Sequence, residues 1–366
     1  MKVPFNDLSF QWREIRAGLM PELETLFEKS AFSLGYAVDA FEREFASYGG
    51  VGHAVGLNSG TSALHLALLA AGIGKGHSVI VPSHTFIATA WAVLYVGATP
   101  ILCDVDAETG NIDCADATRR LRADTRAVIP VHLYGQPADM DAVMGLAGAN
   151  GLTVIEDACQ AHGAKFRGRP VGSMGLAGCF SFYPGKNLGA AGEAGAITTN
   201  DAKLAERTKS LRNHGQYERY IHAEIGYNYR MEGVQGLVLS HKLRRLEAWT
   251  KERKRLAQRL LDGLAGLPLG LPHPVAGDHV YHLFVVRTPR RDELRAHLEK
   301  QGVQTGLHYP VPLHRQPCLQ SFGFLADGYP NADRYATEGL SLPIFAGMTD
   351  AQVDWVASSV QEFFGR

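Results

Sequence analysis

A lysine, a carboxylate and a glycine turn, each close to the end of an apolar run, are the residues of this chain whose types and spacing could do chemistry together. The lysine is Lys186, within Ser181-Phe182-Tyr183-Pro184-Gly185-Lys186-Asn187-Leu188-Gly189. The carboxylate is Asp157, which closes Val154-Ile155-Glu156 and precedes Ala158-Cys159-Gln160. The turn is Asn58-Ser59-Gly60-Thr61-Ser62, placed between a strand-like and a helix-like segment. Singly, each has an ordinary reading: a surface cation, a capping acid, and an N-cap from Ser59 or Thr61. Jointly they meet three demands. Free N–H groups at a helix start bind a phosphate, a carboxylate keeps a pyridine nitrogen protonated, and an amine forms a Schiff base. Pyridoxal 5'-phosphate is the cofactor that needs all three, and Lys186, once displaced by an incoming amine, would shuttle a proton as base and acid.

Other readings of the same residues fail on spacing. A nucleotide P-loop ending at Gly185-Lys186 would require glycine at Phe180 and Ser or Thr at Asn187. Gly172, Gly175 and Gly178 do not form the dinucleotide fingerprint G-x-G-x-x-G after a strand. His308 and His314 are separated by Pro310 and Pro312, which rules out a helical metal pair, and no metal is expected.

The elements that must position this chemistry follow from periodicity. Short β-branched runs over 54–57, 78–81, 99–104, 127–133, 152–156, 177–182 and 195–198 predict seven strands. Helical spacing over 61–71, 84–96, 140–150 and 201–212 falls between several of them, the pattern of an α/β unit with a mostly parallel seven-stranded sheet flanked by helices. A long helical stretch over 231–264 leads to a smaller α+β unit built from 281–287, 292–301 and 351–364. The expected division is a large cofactor-binding domain with an N-terminal arm over 1–248 and a small C-terminal domain over 249–366.

Ordered blocks along nearly the whole chain resemble the DegT/DnrJ/EryC1/StrS group of pyridoxal-phosphate-dependent sugar aminotransferases, of the aspartate aminotransferase fold type I. They are Val3 to Leu8, Asn58 to Leu64, Pro82 to Thr89, Leu133 to Gln136, Glu156 to Gly163, Ser181 to Glu193, Gly226 to Met231, Gln235, and Gly306 to Pro310. The resemblance implies that Lys186 carries the cofactor, that Asp157 sits on the pyridine nitrogen and Gln160 near the ring hydroxyl, and that Phe86 stacks on the ring. It further implies that Gly60, Thr61 and the Ser181 hydroxyl hold the phosphate, with Asn228 reaching it across the interface of a homodimer. His222, Arg230, His308 and Tyr309 are the substrate-side candidates it suggests. Cys159, Ala191, Ala194 and Gly236 depart from the common pattern without replacing a cofactor contact.

The implied reaction is a ping-pong transfer of the L-glutamate amino group, through pyridoxamine 5'-phosphate, to a keto group of a nucleotide-linked hexose. His214 to His222 resembles the segment of members acting on a 3-keto sugar. A 4-keto nucleotide sugar or a keto-cyclitol is the alternative acceptor. A non-catalytic, cofactor-binding regulator is disfavoured by the intact Lys186. Related dehydratases carry histidine at that position.

Composition agrees with such an enzyme. The chain has 366 residues, 46% hydrophobic and 20% charged, enough for two cores. A net charge of -1 argues against a nucleic-acid partner, whose phosphates demand a basic surplus. Neither a secretory leader nor a bilayer-length apolar run is evident, and five cysteines without a C-x-x-C pair suit a reducing cytoplasm.

Overall fold

The computed structural model of the protein describes residues 1–274, 277–324 and 328–365. Two helices open the chain, α1 (Ser9–Glu28) and α2 (Tyr36–Gly49). Then come β1 (His53–Leu57), α3 (Gly60–Ala70), β2 (Ser78–Pro82), α4 (Ala88–Tyr95), β3 (Thr99–Cys103), α5 (Cys114–Arg119), β4 (Thr125–Val128), α6 (Met140–Asn150), β5 (Thr153–Asp157), β6 (Ala177–Ser181), β7 (Gly195–Thr199) and α7 (Ala202–Leu211). All seven strands join one sheet in the order β1-β7-β6-β5-β4-β2-β3. Every neighbour pair is parallel except the two made by β7. The helix expected from residue 84 starts only at Ala88, and the strand expected to reach residue 133 ends at Val128. In both places the chain has turned aside to line a cavity or to make a tight turn.

The sheet brings its chemistry to one edge. Parallel strands share a direction, so their carboxyl ends, Leu57, Pro82, Asp157 and Ser181, lie together, and β7 enters the same edge at Gly195 opposite both Leu57 and Ser181. Open α/β sheets bind ligands at that edge. Glycine is obligatory where the layers close up: a Cβ on Gly195 would stand 2.2 Å from the Ser59 carbonyl oxygen, and one on Gly178 would stand 2.3 Å from Gly172 Cα. Helix α3 is buried on most sides, with Leu64, Leu66 and Leu68 inaccessible against the sheet.

Beyond the sheet, a short hairpin pairs β8 (Gln216–Glu218) with β9 (Ile221–His222), and α8 (Gly233–Leu264) runs 32 residues without a break. At 1.5 Å per residue α8 is about 48 Å long. Its first half packs Leu239, Leu243 and Leu246 against Phe41 and Phe45 of α2, and its second half packs Leu256, Leu260 and Leu264 into the C-terminal core. Gly236 explains one departure from the family pattern, because a Cβ there would meet the Ala37 carbonyl oxygen at 2.8 Å. The C-terminal core contains β10 (Phe284–Arg287), α9 (Arg291–Lys300), β11 (Gly339–Leu342) and α11 (Asp350–Phe363), with Thr349 and Gln352 forming a capping box at the start of α11, whereas α10 (Pro330–Glu338) buries Ala332 and Tyr335 in the core of the large sheet. Val3 of the N-terminal arm joins that core.

Candidate active site

A cavity of about 770 Å³ opens at the carboxyl edge of the sheet, a size that admits a cofactor with a second ligand. Gly60, Thr61, Phe86, Asp157, Gln160, Ser181, Lys186, His308 and Tyr309 all line it. Three other expected site residues do not. His222 is exposed on the β8–β9 hairpin with its Nδ1 at 2.8 Å from the His214 carbonyl oxygen. Asn228 is exposed and bridges Asn213. Arg230 lies beside Leu57 and donates to Asn213 Oδ1 at 2.9 Å.

Strand alternation separates the two acids of β5. Successive side chains point to opposite faces, so Glu156 turns into the core and Asp157 into the cavity. Glu156 accepts the N–H groups of Gly172, Met174 and Gly175 at 2.7–2.8 Å and sits 3.0 Å from His132 Nε2. Burial works against its charge, but the His132 bond and these N–H donors outweigh burial and leave its pKa below the usual carboxylate range. Asp157 accepts from Thr89 Oγ1 at 2.8 Å and from the Cys159 N–H at 3.2 Å. Both partners donate, which fixes the carboxylate's orientation in the cavity. Gln160 is fixed by the Tyr134 N–H at 2.7 Å and extends its amide to Tyr309 Oη at 3.0 Å.

At the start of α3, Ser59 caps by accepting from the Ser62 N–H at 3.0 Å. The N–H groups of Gly60 and Thr61 have no partner among the described residues and, with the helix dipole, make an anion seat. Ser181 comes so close that a Cβ on Gly60 would lie 2.6 Å from its Cβ and 2.8 Å from Cys159 Sγ. The bend carrying Lys186 is fastened on several sides. Lys186 N–H donates to Tyr183 O at 2.8 Å, Asn187 Nδ2 to Val280 O at 3.0 Å, and Lys242 Nζ to Gly189 O at 2.7 Å. Gln235 accepts the Ala191 N–H at 2.9 Å.

Lys186 is half-buried, and among the described residues its ammonium has no hydrogen-bond partner. Removal from water lowers its pKa, with Cys159 and Asp157 opposing that shift. The imidazoles around it stay neutral. Burial first, and the lysine charge second, bring His162 down to about 3 and His308 down to about 4. Burial raises the Tyr309 phenol, so it stays a hydroxyl. Phe86, 50% exposed, presents its ring 5.6 Å from that of Tyr309. An apolar ring left open at a cavity wall suits a flat aromatic ligand.

Sequence reasoning missed several lining residues, among them Asn6, Tyr183, Arg253 and His282. Asn6 and Tyr183 stood inside quoted motifs, whereas Arg253 was one cation in a cation-rich helix and only packing turns it inward.

An amine, a doubly donated carboxylate and a helix N-terminus closed by a glycine fit pyridoxal 5'-phosphate, and fold and cavity together define an aminotransferase that uses that cofactor. The chain belongs to the DegT/DnrJ/EryC1/StrS aminotransferase family, whose model matches residues 14–361. It is 45% identical, over all of its length and 97% of the relative's, to dTDP-3-amino-3,4,6-trideoxy-alpha-D-glucose transaminase of Streptomyces venezuelae. It is 42% identical to the pleiotropic regulatory protein of Geobacillus stearothermophilus, over 100% of this chain and 99% of the other. It is also 42% identical to UDP-N-acetyl-3-dehydro-alpha-D-glucosamine 3-aminotransferase of Acidithiobacillus ferrooxidans, over 98% and 97%. Among solved structures, DesV of S. venezuelae superposes with a TM-score of 0.97 at 45% identity, over 100% and 99% of the two chains. NtdA of Bacillus subtilis, solved with bound cofactor PMP, gives 0.93 at 29% identity, over 100% and 86%.

Proposed function

We propose that this aminotransferase moves the amino group of L-glutamate to a 3-keto group of a nucleotide-linked hexose. The carrying observation is that Lys186 stands free in the cavity beside Asp157 and the Gly60-Thr61 seat. Two relatives at 42–45% identity are named for 3-amino or 3-keto nucleotide sugars, which supports the acceptor and the carbon.

Bound there, pyridoxal 5'-phosphate would supply an electron sink through which an amino group can leave one carbon and join another. The chain's own residues do the rest. The N–H groups of Gly60 and Thr61 with the Ser181 hydroxyl would hold the phosphate, and Phe86 would cover the ring. Asp157, oriented by Thr89 and the Cys159 N–H, would face the ring nitrogen and hold its proton. Gln160, held by the Tyr134 N–H and by Tyr309, would sit near the ring hydroxyl. Lys186, its pKa lowered by burial, would hold the cofactor through Nζ and, once an incoming amine has released it, take and return a proton there. His308 and Tyr309 stay neutral and offer hydrogen bonds to the sugar.

Asn228, His222 and Arg230 lie outside this chain's cavity, and the same surface exposes Tyr217, Tyr220, Ile221 and Ile225. We assign that surface to a homodimer interface, through which the three polar residues complete the other subunit's site. Division of labour between residues 1–248 and 249–366 follows the same reading, with Asp157 and Lys186 on the first part and His308 and Tyr309 on the second.

The test is product analysis with [15N]L-glutamate and a panel of 3-keto and 4-keto nucleotide sugars and inososes. Label in a 3-amino nucleotide sugar supports the proposal. Label found only in a 4-amino sugar or an aminocyclitol moves the acceptor, and no label in any product favours a regulator.

A further inference from the structure

Among the cavity-lining residues, Arg253 is the one buried cation whose partners leave charge unanswered. It rises from α8 into the cavity wall and is 5% exposed. Its Nη1 donates to the carbonyl oxygens of Ile344 at 2.6 Å and Tyr281 at 3.3 Å. Its Nε and Nη2 make no hydrogen bond or ion pair among the described residues, and neither is fully enclosed, so both are open to the cavity that Arg253 lines. Burial lowers its pKa only to about 10, so it remains charged at neutral pH. A guanidinium taken out of water without an opposite charge is costly, and buried charges are normally paired.

Nothing in the cavity wall supplies the missing anion. Asp157 is committed to Thr89 and the Cys159 N–H, and Glu193 is exposed. The phosphate seat lies at the start of α3, where the anion is already provided for by Gly60 and Thr61. Around Arg253 stand groups that add no negative charge. His282 lines the same cavity, is held neutral by burial, and feels both Lys186 and Arg253. His308 is likewise neutral. Arg253 lines the same cavity as Lys186, the amine on which the chemistry turns, and presents two free N–H-bearing nitrogens in the planar geometry that matches a carboxylate.

We propose that Arg253 binds a carboxylate of the amino donor and of the 2-oxo acid it becomes. This rests on the aminotransferase reading above and deepens it by naming the donor-recognising group. Nη1 keeps the guanidinium in place through the two carbonyls, and Nε with Nη2 receive the carboxylate. The keto-sugar carries no carboxylate in this role, so Arg253 discriminates between the two half-reactions of one cavity.

The experiment compares wild-type holoenzyme with Arg253→Met, which fills similar volume without charge, and Arg253→Lys, which keeps the charge but not the fork. Glutarate, a dicarboxylate with no amino group, is titrated against the bound cofactor's absorbance. The L-glutamate dependence of cofactor conversion is measured in parallel. Hydroxylamine, an amine nucleophile with no carboxylate, is the control for cofactor geometry. Loss of a charged hydrogen-bonded pair corresponds to a weakening of about 10- to 150-fold. Arg253→Met is expected to weaken glutarate and L-glutamate by that factor, Arg253→Lys by less, and hydroxylamine reactivity is expected to stay at the wild-type rate. Unchanged glutarate and L-glutamate dependence overturns the assignment, as does an equal loss with hydroxylamine. Should neither variant fold, wild-type crystals soaked in glutarate decide: a carboxylate within about 3.2 Å of the Arg253 guanidinium supports it, and glutarate bound elsewhere overturns it. If wild-type holoenzyme converts with no amino donor at all, the aminotransferase reading falls first, and conversion with unchanged dependence in Arg253→Met sinks the Arg253 assignment alone.

Discussion

Gly60→Ala is the substitution whose effect the structure fixes most tightly. Its new Cβ would stand 2.6 Å from Ser181 Cβ, 2.8 Å from Cys159 Sγ and 3.1 Å from Ser181 Cα. Carbon atoms in comfortable contact are about 3.5–4.0 Å apart, so some atom must retreat by roughly 1 Å. Ser181 cannot, because it ends β6 and pairs with Gly195. Gly195 in turn has no room, since its own Cβ position is 2.2 Å from Ser59 O. The start of α3 must therefore move, which carries the free N–H groups of Gly60 and Thr61 out of register with a phosphate. Overpacking of this kind costs about 1–3 kcal/mol, and each lost hydrogen bond to a charged group costs about 1.5–3 kcal/mol. Together these predict pyridoxal 5'-phosphate affinity weakened by at least tenfold, with a lower melting temperature for the apoprotein. The assay is cofactor titration of the apoprotein by absorbance, beside Gly145→Ala as control. Gly145 lies within α6, where a Cβ meets nothing within 4 Å, and alanine there should stabilise slightly. Cofactor affinity unchanged in Gly60→Ala would refute the phosphate seat and the reasoning from close contact.

Four further outcomes follow from the same geometry. Asp157 raises the Lys186 pKa against the effect of burial, so Asp157→Asn should shift the rising limb of the cofactor-capture rate to lower pH, measured by stopped-flow absorbance. Because the folded-state pKa of Lys186 lies below its unfolded value, its charge opposes folding below that folded pKa, and the penalty fades as pH rises toward the unfolded one. Apo Lys186→Met should then melt higher than apo wild type at pH 7 and lose that advantage above about pH 10.5, by calorimetry. Gly236→Ala drives a Cβ to 2.8–2.9 Å from the Ala37 and Val38 backbone and should cost about 1–3 kcal/mol in urea unfolding. If Asn228 serves the other subunit, mixing inactive Lys186→Ala with inactive Asn228→Ala should restore about a quarter of wild-type activity, since half the dimers are mixed and each has one intact site; no recovery would place Asn228 in its own chain's site.

Much of the sheet was legible because its strands are short and rich in Val, Ile and Thr, and the helices over 140–150 and 201–212 because of their apolar spacing; the structure adds that Asp139 and Asp201 cap them, each accepting two backbone N–H groups. The candidate site was legible where chemistry demands a residue type, and Lys186 and Asp157, singled out on that ground, line one cavity. Residues 84–87 read as helix because their apolar spacing continues into α4, yet His84 and Thr85 are drawn inward, His84 Nε2 lying 2.8 Å from Tyr134 Oη. The opening helices carried no motif, and Gln11, Ile15 and Leu19 of α1 are buried only because other helices cover them. Arg253 was beyond sequence reading for the same reason: nothing local distinguishes it from Lys251, Lys254 or Arg255. Arg255 meets Glu252 and Asp350 at the surface, while Arg253 turns toward the cavity.

The most direct test of the central claim is the absorption spectrum of holoenzyme mixed with L-glutamate, taken for wild type and for Lys186→Ala. Wild type should lose its visible cofactor band and yield pyridoxamine 5'-phosphate after denaturation, whereas Lys186→Ala should retain cofactor and convert none of it. Conversion by Lys186→Ala at a near wild-type rate, or a wild-type spectrum indifferent to L-glutamate and every other amino donor, would contradict the account.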